Sequence, residues 1–553
     1  MLNGVAINIH SGYIYANKQK TLTDVRAYVK NDRTLLPVRA ISEALGCDVS
    51  WDGAANTVTI DGKAKIVIGS NQMTLADGST YELDVPAEVT DNRVFIPLRA
   101  LCEKVLGKEV TWNDRGLIIL TDSPINMTDA NIAAINNFML YDRPQAAQLK
   151  QMFNEINKNT HPRIVFDKAE FDTMYQQYQT NDVMHEIGGN IISAADKKLN
   201  LAHEQYIIPD GLRLLSTCRA VLDKVLNLSM ASKHTKDEKN KTYLWEEIEN
   251  AGNFVDWNHK LHYLDVGEMS MAFAIAYDWL YDDWTDEQRK FMEEAIYKHS
   301  LTWTQRALYG FCDYPNFFVT ANTNWNAVCN GGTGCAAIAV FDKYPDLCAD
   351  ILEKNYASLE KMMTEFYPDG AWYEGPGYWE YLMQFLAFFM TSSEAAFKTD
   401  FNICKAPGFS KTGEFYLSSD GMTGSNNYHD ASSTHLMSDY LYWLADKFNE
   451  SGLTKINFSK KEKYSSSIGG VYSFIYLNPN HLTAEAATLP LDTYFANTEI
   501  VNMRSSWTDD GGIYASMHNG KNNVNHMHLD AGTFVCDIGG QRFAGDIGAE
   551  DYN

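Results

Sequence analysis

The hydrophobic pattern of this chain changes once, from helical to strand-like. From about Met127 to Phe448 apolar residues recur with the spacing of helices, and TDEQ (Thr285 to Gln288) has the form of a capping box that opens one of them. From about Gly469 onward, GGVYSFIYL, GGIYASMHNG and GTFVCDIGGQRFAGDIG alternate apolar and polar residues between glycines and turn residues. This order predicts a large all-α region followed by antiparallel strands in a separate layer or domain.

A ten-residue motif occurs twice ahead of the helical region. NDRTLLPVRA (Asn31 to Ala40) returns as DNRVFIPLRA (Asp91 to Ala100), and each copy is followed by Glu, Leu-Gly and then VSW or VTW. Two copies indicate one duplicated module. Each copy predicts a turn, a short strand, a helix opened by Pro and Arg (Arg39 to Leu45; Arg99 to Leu106) and a further strand. The two copies therefore predict a small α+β domain that ends near Asp122.

Composition excludes several classes of function. With 553 residues the chain is too long for one ordinary core, so we expect two or three domains. The formal net charge of −25, from 71 acidic and 46 basic residues, disfavours nucleic acid as a partner because phosphate contacts need a basic face.

The apolar run YLMQFLAFFM is too short to span a bilayer, so no membrane insertion is expected, and the N-terminus lacks the features of a signal peptide. The nine cysteines contain no CxxC pair and predict neither a zinc knuckle nor a redox dithiol.

The first of three polar stretches, NTNWNAVCNGG, places Asn322, Asn324 and Asn326 around Trp325 ahead of an Ala-rich helix. Asparagine is a poor helix-interior residue and a good cap, so a structural explanation is an N-terminal cap with its turn. A binding or catalytic role for the same amides competes with that explanation. The pattern alone leaves both interpretations open.

The second stretch, PDGAWYEGPGYWEY (Pro368 to Tyr381), is a Gly- and Pro-containing loop rich in aromatic residues. Aromatic residues at such spacing usually belong to a core, yet the loop signals indicate that several of them line a surface. The aromatic residues concerned are Trp372, Tyr373, Tyr378, Trp379 and Tyr381.

The third stretch, NHMHLDAGTF, places His526, His528 and Asp530 at alternate positions. If the stretch is a β-strand, all three side chains point to one face. A histidine pair of this kind is more often a hydrogen-bonded structural pair than a set of ligands, so the pair does not identify itself.

Together the three stretches resemble the heparinase II/III-like polysaccharide lyases, from about Pro144 to the end. DWNHKLHYLDVGEMSMAFAIAYDWLYDDWT, NWNAVCNGG, DGAWYEGPGYWEY and HMHLDAGTFVCDIGGQRFAGDIGAEDY are similar to that family's characteristic segments, in its order. The resemblance implies an incomplete (α/α) toroid at 123–460 and an antiparallel β-sandwich that starts within 461–553. Because the last residues, GDIGAEDYN, read as mid-stream, we expect the sequence to be truncated at the C-terminus, and we extend that expectation to the N-terminus.

The duplicated module at 1–122 resembles the copper amine oxidase N-terminal-like domain, an accessory module of secreted and surface proteins of Gram-positive bacteria. Neither repeat carries a histidine cluster, so no copper chemistry is expected. The resemblance implies an extracellular or cell-surface protein that associates with the surface through this module.

The lyase resemblance implies cleavage of a uronic-acid-containing polysaccharide by β-elimination. A base removes the C5 proton beside the carboxylate, donors stabilise the resulting enolate, and an acid protonates the leaving C4 oxygen. By resemblance Asn324 is the donor, with Asn322 and Asn326 as alternatives, and no cofactor is required. Tyr378 matches the family's catalytic tyrosine and is the acid, while His526 is either the base or the group that tunes Tyr378. The predicted substrate contacts are Asn322, Trp325, Asn326, Trp372, Glu374 and Trp379.

Some members of this family bind a structural zinc ion, which by resemblance implies a site in this chain as well. The matching ligands are His528 and Asp546, together with a later histidine that would lie beyond Asn553. Zinc needs at least three protein ligands, and the sequence supplies two. We interpret Asp530 as a structural acceptor that orients a backbone turn.

Two other functions compete with a lyase. A non-catalytic glycan-binding surface protein could keep the toroid, although a binder has no reason to keep an acid and a base. A glycoside hydrolase on the same scaffold would need two opposed carboxylates. Glu374 and Glu380 lie near Tyr378 in the sequence, but no matching second-carboxylate motif accompanies them. The expected partner is an acidic polysaccharide, and heparan sulfate, chondroitin, hyaluronate and alginate all offer the same uronate chemistry.

Overall fold

The structure, a computed structural model, describes residues 4–23, 25–485 and 488–549. The chain divides into two compact units, Met1–Asp142 and Arg143–Asn553. The order of a duplicated N-terminal module, a helical region and an antiparallel sheet confirms the predicted fold class. None of the described helices is both long enough and apolar enough to cross a bilayer.

The first unit is built mainly from short strands. They form three antiparallel sheets, in the orders β13-β14-β1-β2-β3, β10-β9-β8-β7-β6 and β11-β12-β5-β4. The strands are β1 Val5–Asn8, β2 Tyr13–Ala16, β3 Gln19–Leu22, β4 Tyr28–Lys30, β5 Arg33–Pro37, β6 Val49–Asp52, β7 Thr57–Ile60, β8 Ala64–Val67, β9 Gln72–Leu75, β10 Thr80–Glu82, β11 Glu88–Thr90, β12 Arg93–Pro97, β13 Glu109–Trp112 and β14 Leu117–Thr121. The helices are α1 Val38–Ala44, a π-helix at Ala100–Val105, and α2 Asp129–Leu140.

The two copies of the repeated motif pair with each other. Strands β5 and β12 run antiparallel, and the equivalent residues Leu36 and Ile96 lie opposite each other. The predicted helices follow directly, the first as α1 and the second as the π-helix Ala100–Val105. Because Leu36, Ile96 and the helix residues Ile41 and Leu101 are fully buried in one core, the duplication makes a single domain.

The second unit is mainly helical. The helices are α3 Ala146–Ile156, α4 Lys168–Thr180, α5 Asp182–Lys198, α6 Leu215–Thr235, α7 Glu238–Gly252, α8 Tyr263–Trp279, α9 Asp286–Ile296, α10 Thr302–Leu308, α11 Asn324–Ala339, α12 Pro345–Met363, α13 Gly375–Phe397, α14 Thr412–Ser418, α15 Tyr440–Phe448, α16 Ser451–Tyr464, α17 Val471–Tyr476 and α18 Asn480–Thr483. Short 3-10 or π segments lie at Tyr281–Asp283, Tyr297–Leu301, Phe317–Val319, Thr364–Phe366, Ile403–Lys405 and Phe409–Lys411. The predicted capping box opens α9, where Thr285 and Gln288 bond each other's backbone N–H.

Four inner helices, α6, α8, α11 and α13, lie side by side with their N-termini at the same end. The backbone N–H of Leu214, just before α6, donates to Asp265 in the first turn of α8 at 2.8 Å. The ring of His262, which precedes α8, contacts Trp325 of α11. Asn324 of α11 in turn bonds Glu374, which precedes α13. These contacts define one end of the helical unit, which we call the N-terminal face.

The C-terminal strands form one antiparallel sheet of sequential hairpins. It contains β15 Asp492–Phe495, β16 Ile500–Arg504, β17 Ile513–His518, β18 Phe534–Ile538 and β19 Gln541–Ala544. Gly539 and Gly540 make the last two-residue turn at φ 60° and 74°, a conformation that glycine adopts without strain. The sheet packs on the C-terminal end of α14, since Arg504 and Tyr514 both donate to the carbonyl of Ser418.

One predicted strand is wrong. GGVYSFIYL contains α17, and Gly470 stands at its N-cap position. The helix packs against α5, α6 and α15 and buries Val471 and Phe474. Tertiary packing in the helical unit therefore overrides the strand propensity of these β-branched and aromatic residues.

Candidate active site

Tyr378 and His526 lie face to face although they come from different parts of the fold. Tyr378 lies in the first turn of α13, and its ring stacks on the His526 ring with centroids 3.6 Å apart. His526 lies in the connection between β17 and β18, with φ at 60°, so NHMHLDAGTF is mostly loop rather than a strand. The structure thus brings the predicted acid and its predicted partner into contact.

Asp430 holds both histidines of the motif. One carboxylate oxygen lies 2.6 Å from Nδ1 of His526, and the other lies 3.0 Å from Nε2 of His528. An ionised carboxylate only accepts hydrogen bonds, so each of these ring nitrogens is the donor. The contact leaves Nε2 of His526 and Nδ1 of His528 as the nitrogens able to accept a proton or a metal ion.

Glu374 lies between Asn324 and His526 and contacts both. Its carboxylate, which is fully buried, accepts the backbone N–H of Asn324 at 2.8 Å and the Asn324 amide at 3.0 and 3.1 Å. It also accepts N–H groups of Trp372 at 3.1 Å and Asn525 at 2.5 Å. Burial raises the pKa of Glu374 despite these donors. Because Oε1 of Glu374 lies 3.9 Å from Nε2 of His526, a continuous set of contacts joins Asn324, His526 and Tyr378.

The three clustered asparagines have different environments. Asn326 is fully buried, and its amide donates to the carbonyls of Phe318, Ala321 and Ser358. This is the structural role that asparagine caps and turns predict, and it argues against Asn326 as a substrate contact. Asn322 is exposed and donates to Glu365 at 3.0 Å, so it can meet a ligand.

The tryptophans predicted to contact substrate differ in exposure. Trp325 is partly exposed and packs against Phe317 and His262. Trp372 and Trp379 are both fully buried, and Trp379 stacks on Tyr416 while its indole N–H donates to Thr412 at 2.7 Å. Neither buried ring presents a face to a ligand, so the structure argues against substrate contact by Trp372 and Trp379.

His528, Asp530 and Asp546 form a group whose ligand atoms lie within 4.8 Å of one another. Both carboxylate oxygens of Asp530 are buried, and among the described residues neither accepts a hydrogen bond. The prediction that the Asp530 side chain orients a backbone turn is therefore wrong. Two buried oxygens without donors beside a histidine nitrogen fit a divalent cation such as zinc.

Sequence reasoning missed Asp430 and Asn525. Asp430 is 96 residues from His526 in sequence and lies in GSNNYHDASSTH, a polar loop between helices. A His-Asp pair in a loop rich in Ser and Asn was the available signal, because loop residues of this kind often serve in sites. Asn525 adjoins the histidine motif, but nothing in the sequence predicts its bond to Glu374.

Solved structures with partial similarity to this chain include a heparan sulfate lyase and two heparinase III structures. A heparan sulfate lyase HepC mutant from Pedobacter heparinus matches 70% of this chain and 62% of its own at 13% identity and a TM-score of 0.41. A heparinase III matches 76% of this chain and 64% of its own at 14% identity and a TM-score of 0.45. Another heparinase III matches 75% and 66% at 14% identity and a TM-score of 0.41. The chain thus spans less than two thirds of the length of each of these proteins.

Sequence comparison identifies a family for the N-terminal segment of the chain. No curated protein sequence matches the chain. Residues 6–120 match the family model described as the copper amine oxidase N-terminal domain, which confirms the resemblance predicted for this segment.

Proposed function

We propose that the second unit is a polysaccharide lyase that cleaves a uronic-acid-containing polysaccharide by β-elimination. The observation that carries the proposal is the stacking of Tyr378 on His526, with Asp430 fixing the His526 ring and Glu374 connecting it to Asn324. These groups come from four separate segments of the chain. A donor, an acid and a base of this kind are what elimination next to a carboxylate requires.

The proposed reaction proceeds from the uronate unit held against Tyr378 and His526. A base removes the C5 proton, a double bond forms between C4 and C5, and the C4–O bond breaks as the oxygen takes a proton from the Tyr378 hydroxyl. Asp430 keeps the Nδ1 proton of His526, so Nε2 is the nitrogen able to act as base when it carries no proton, or to donate to the Tyr378 phenolate when it carries one. Which of the two removes the C5 proton depends on the configuration of the sugar.

Asn324 has the proposed role of stabilising the enolate. Its side-chain amide is directed at both oxygens of Glu374. The proposal therefore requires this amide to exchange Glu374 for the uronate when substrate binds.

A glycoside hydrolase is less well supported by the same residues. Glu374 is occupied by N–H groups of Asn324, Trp372 and Asn525. Glu380 lies two residues beyond Tyr378 on α13 and therefore on the opposite side of that helix, where Tyr416 and Ser438 interact with it. The two carboxyl groups thus do not flank one site as hydrolysis of a glycosidic bond requires.

We also propose a structural zinc ion held by His528, Asp530 and Asp546. Asp430 fixes Nε2 of His528 and leaves Nδ1 for the metal, which is the usual role of a carboxylate behind a ligating histidine. When bound, the ion would tie the loop that carries His526 to the segment after β19. The elimination chemistry itself needs no cofactor.

The proposed partner is an acidic polysaccharide, and the proposed location is the cell surface or extracellular space of a Gram-positive-type bacterium. The N-terminal module would supply the surface association. These proposals follow from the resemblance of the two units to their families.

The test is to incubate the protein with heparan sulfate, chondroitin, hyaluronate and alginate and to follow the ultraviolet absorbance of unsaturated uronyl ends. Tyr378→Phe should keep the fold and lower the rate by about 10² to 10⁴, because the leaving oxygen loses its proton donor. Tyr309→Phe is the matched control, since this hydroxyl bonds Asp350 on the outer helix α12. A protein that binds these chains without producing unsaturated ends would be the glycan-binding alternative.

A further inference from the structure

Arg219, Glu268 and Tyr381 come together from three inner helices. Arg219 lies in the second turn of α6, and its Nε donates to Glu268 of α8 at 3.2 Å. Tyr381 of α13 donates its hydroxyl to the same Glu268 oxygen at 2.8 Å, and the guanidinium carbon of Arg219 lies 4.6 Å from the centroid of the Tyr381 ring. The guanidinium is thus held at its Nε edge by Glu268 and on one face by the Tyr381 ring.

The same arginine is about half exposed to solvent. Its side chain is 51% exposed, whereas that of Glu268 is 1% exposed. A guanidinium has five N–H donors in a rigid fork, and Glu268 contacts it through one oxygen only, because its other oxygen makes no hydrogen bond among the described residues. A fixed and solvent-accessible guanidinium is suited to a second anion.

This arginine lies next to the candidate active site. Tyr381 follows Tyr378 by three residues on α13, so their Cβ atoms are ~5–6 Å apart on neighbouring positions of one helix surface. Arg219 contacts the Tyr381 ring, and Tyr378 in turn stacks on His526. Arg219 is therefore separated from the stacked pair by one side chain of α13.

The negative charge of the chain gives Arg219 significance as a candidate binding site for an anion. The chain carries a net charge of −25, so an anionic polymer approaches it against repulsion unless a local cation receives it. Burial works against the charge of Arg219, but Tyr381 and Glu268 outweigh that effect and raise its pKa. Because arginine stays protonated in proteins, the contacts with Glu268 and Tyr381 hold a permanent cation against a residue three positions after Tyr378 on α13.

We propose that Arg219 binds an anionic substituent, a carboxylate or a sulfate, of the sugar chain that lies across Tyr378 and His526. Arg219 is then a specificity residue that selects acidic chains and sets their position. This inference rests on the proposed lyase function.

The experiment separates binding from turnover. Binding is measured by calorimetry in the Tyr378→Phe background, which leaves the oligosaccharide intact. The probes are hyaluronate oligosaccharides, which carry carboxylates only, the same oligosaccharides after carboxyl reduction, and heparan sulfate oligosaccharides before and after removal of sulfate. With Tyr378 restored, KM and kcat are measured on the polymers that the protein cleaves.

Arg219→Gln should weaken binding of the recognised acidic chain by ~10- to 100-fold, the range for hydrogen bonds to a charged group. KM should rise accordingly, with kcat within a few-fold of the parental value. The loss should disappear on carboxyl-reduced chains if a carboxylate is the ligand, and on desulfated chains if a sulfate is. Arg306→Gln is the control, because this exposed arginine also packs on an aromatic ring, that of Trp303, but lies on α10.

Arg219→Lys guards against a purely structural effect. Lysine keeps a positive charge opposite buried Glu268 but loses the planar fork, so the fold should persist while affinity still falls. Parental KM and affinity in both Arg219 variants, or an equal loss on acidic and neutral chains, would overturn the inference and leave the lyase proposal intact. If the protein binds acidic chains but never yields unsaturated ends, the lyase proposal fails while the binding measurements still test Arg219. Failure to bind any acidic chain would overturn both.

Discussion

At the scale of single residues, Asp430 contributes most to the candidate site. Its two oxygens fix one nitrogen of His526 and one of His528, so one carboxylate orients both a proposed catalytic ring and a proposed metal ligand. Loss of Asp430 should therefore weaken both the proposed elimination and the proposed metal binding. Loss of a residue with only a structural role would not link these two effects.

Asp430→Asn should lower the rate of elimination by ~10² or more, and zinc affinity by ~10- to 100-fold. An amide has one accepting oxygen and one donating NH₂, so one of the two histidines must change its tautomer. The measurements are the pH profile of kcat/KM and zinc retention against a chelator, with Asp282→Asn, an exposed aspartate near the C-terminus of α8, as control. A parental rate and pH profile would contradict the role of Asp430.

At the scale of elements, the close approach of α8 and α11 places Asn324. A Cβ added to Gly332 of α11 would lie 1.9 Å from the carbonyl oxygen of Gly267 in α8, so the two backbones are nearly in contact. No rotamer can relieve a clash with backbone atoms, so any larger residue must push the helices apart. Asn324 begins α11 and would move with it.

Gly332→Ala should lower the free energy of unfolding by ~1–3 kcal/mol or more and reduce activity through displacement of Asn324. Gly189→Ala is the matched control, because Gly189 also lies within a helix, α5, and a Cβ there meets no atom within 4 Å. That control should be stabilising by ~0.5–1 kcal/mol. Equal stability of the two variants in urea denaturation would show that the helices tolerate separation.

Helix α13 has a second titratable face, opposite Tyr378. Burial raises the pKa of Glu380 to about 7. Between the ordinary carboxyl pKa and about 7, the folded protein binds more protons than the unfolded chain, so this residue lowers stability as pH rises through that interval.

Glu380→Gln should flatten the stability profile between about pH 4.5 and 7, where the parental protein loses at most ~3 kcal/mol through this group. The free energy of unfolding is measured at several pH values for the parental protein, for this variant and for Glu462→Gln, whose side chain is exposed on α16. If the profiles of the parental protein and Glu380→Gln are parallel, Glu380 ionises normally in the folded state.

Local sequence patterns predicted individual helices, strands and turns better than the tertiary contacts between them. Three features were predictable: the capping box at Thr285, the duplicated motif, and the hairpin that turns at Gly539 and Gly540. Hydrogen bonds and φ preferences within a few residues determine each of them. The helix at Val471 was not, since two of the helices that it packs against, α5 and α6, are distant in sequence. Tyr378 and His526 could be named because their segments resemble those of a known family, whereas the contact of Asp430 with His526, 96 residues away in sequence, depends on the folded chain.

At the scale of the whole molecule, each compact unit has a core of its own. The larger core of the first unit draws only on residues from Val5 to Leu120. A smaller cluster adds Met139 of α2, and the side-chain oxygen of Asn136 in the same helix accepts a hydrogen bond from the Asn8 amide of the module at 2.8 Å. Helix α2 thus belongs with the duplicated module, and the natural place to divide the chain is after Asp142.

A protein that begins at Arg143 should fold and keep the specific activity of the full chain, because every candidate catalytic and metal-binding residue lies in the second unit. The start must retain Arg143, whose guanidinium forms two parallel bonds to Glu360, at 2.8 and 2.6 Å, and that carboxylate is only 7% exposed. A protein that begins at Gln145 lacks this guanidinium and should melt at a lower temperature, since a largely buried carboxylate loses two charge-assisted hydrogen bonds. Melting curves and uronyl absorbance for the two truncated proteins and the full chain measure both effects. Loss of turnover in a well-folded protein that starts at Arg143 would show that the first unit takes part in catalysis.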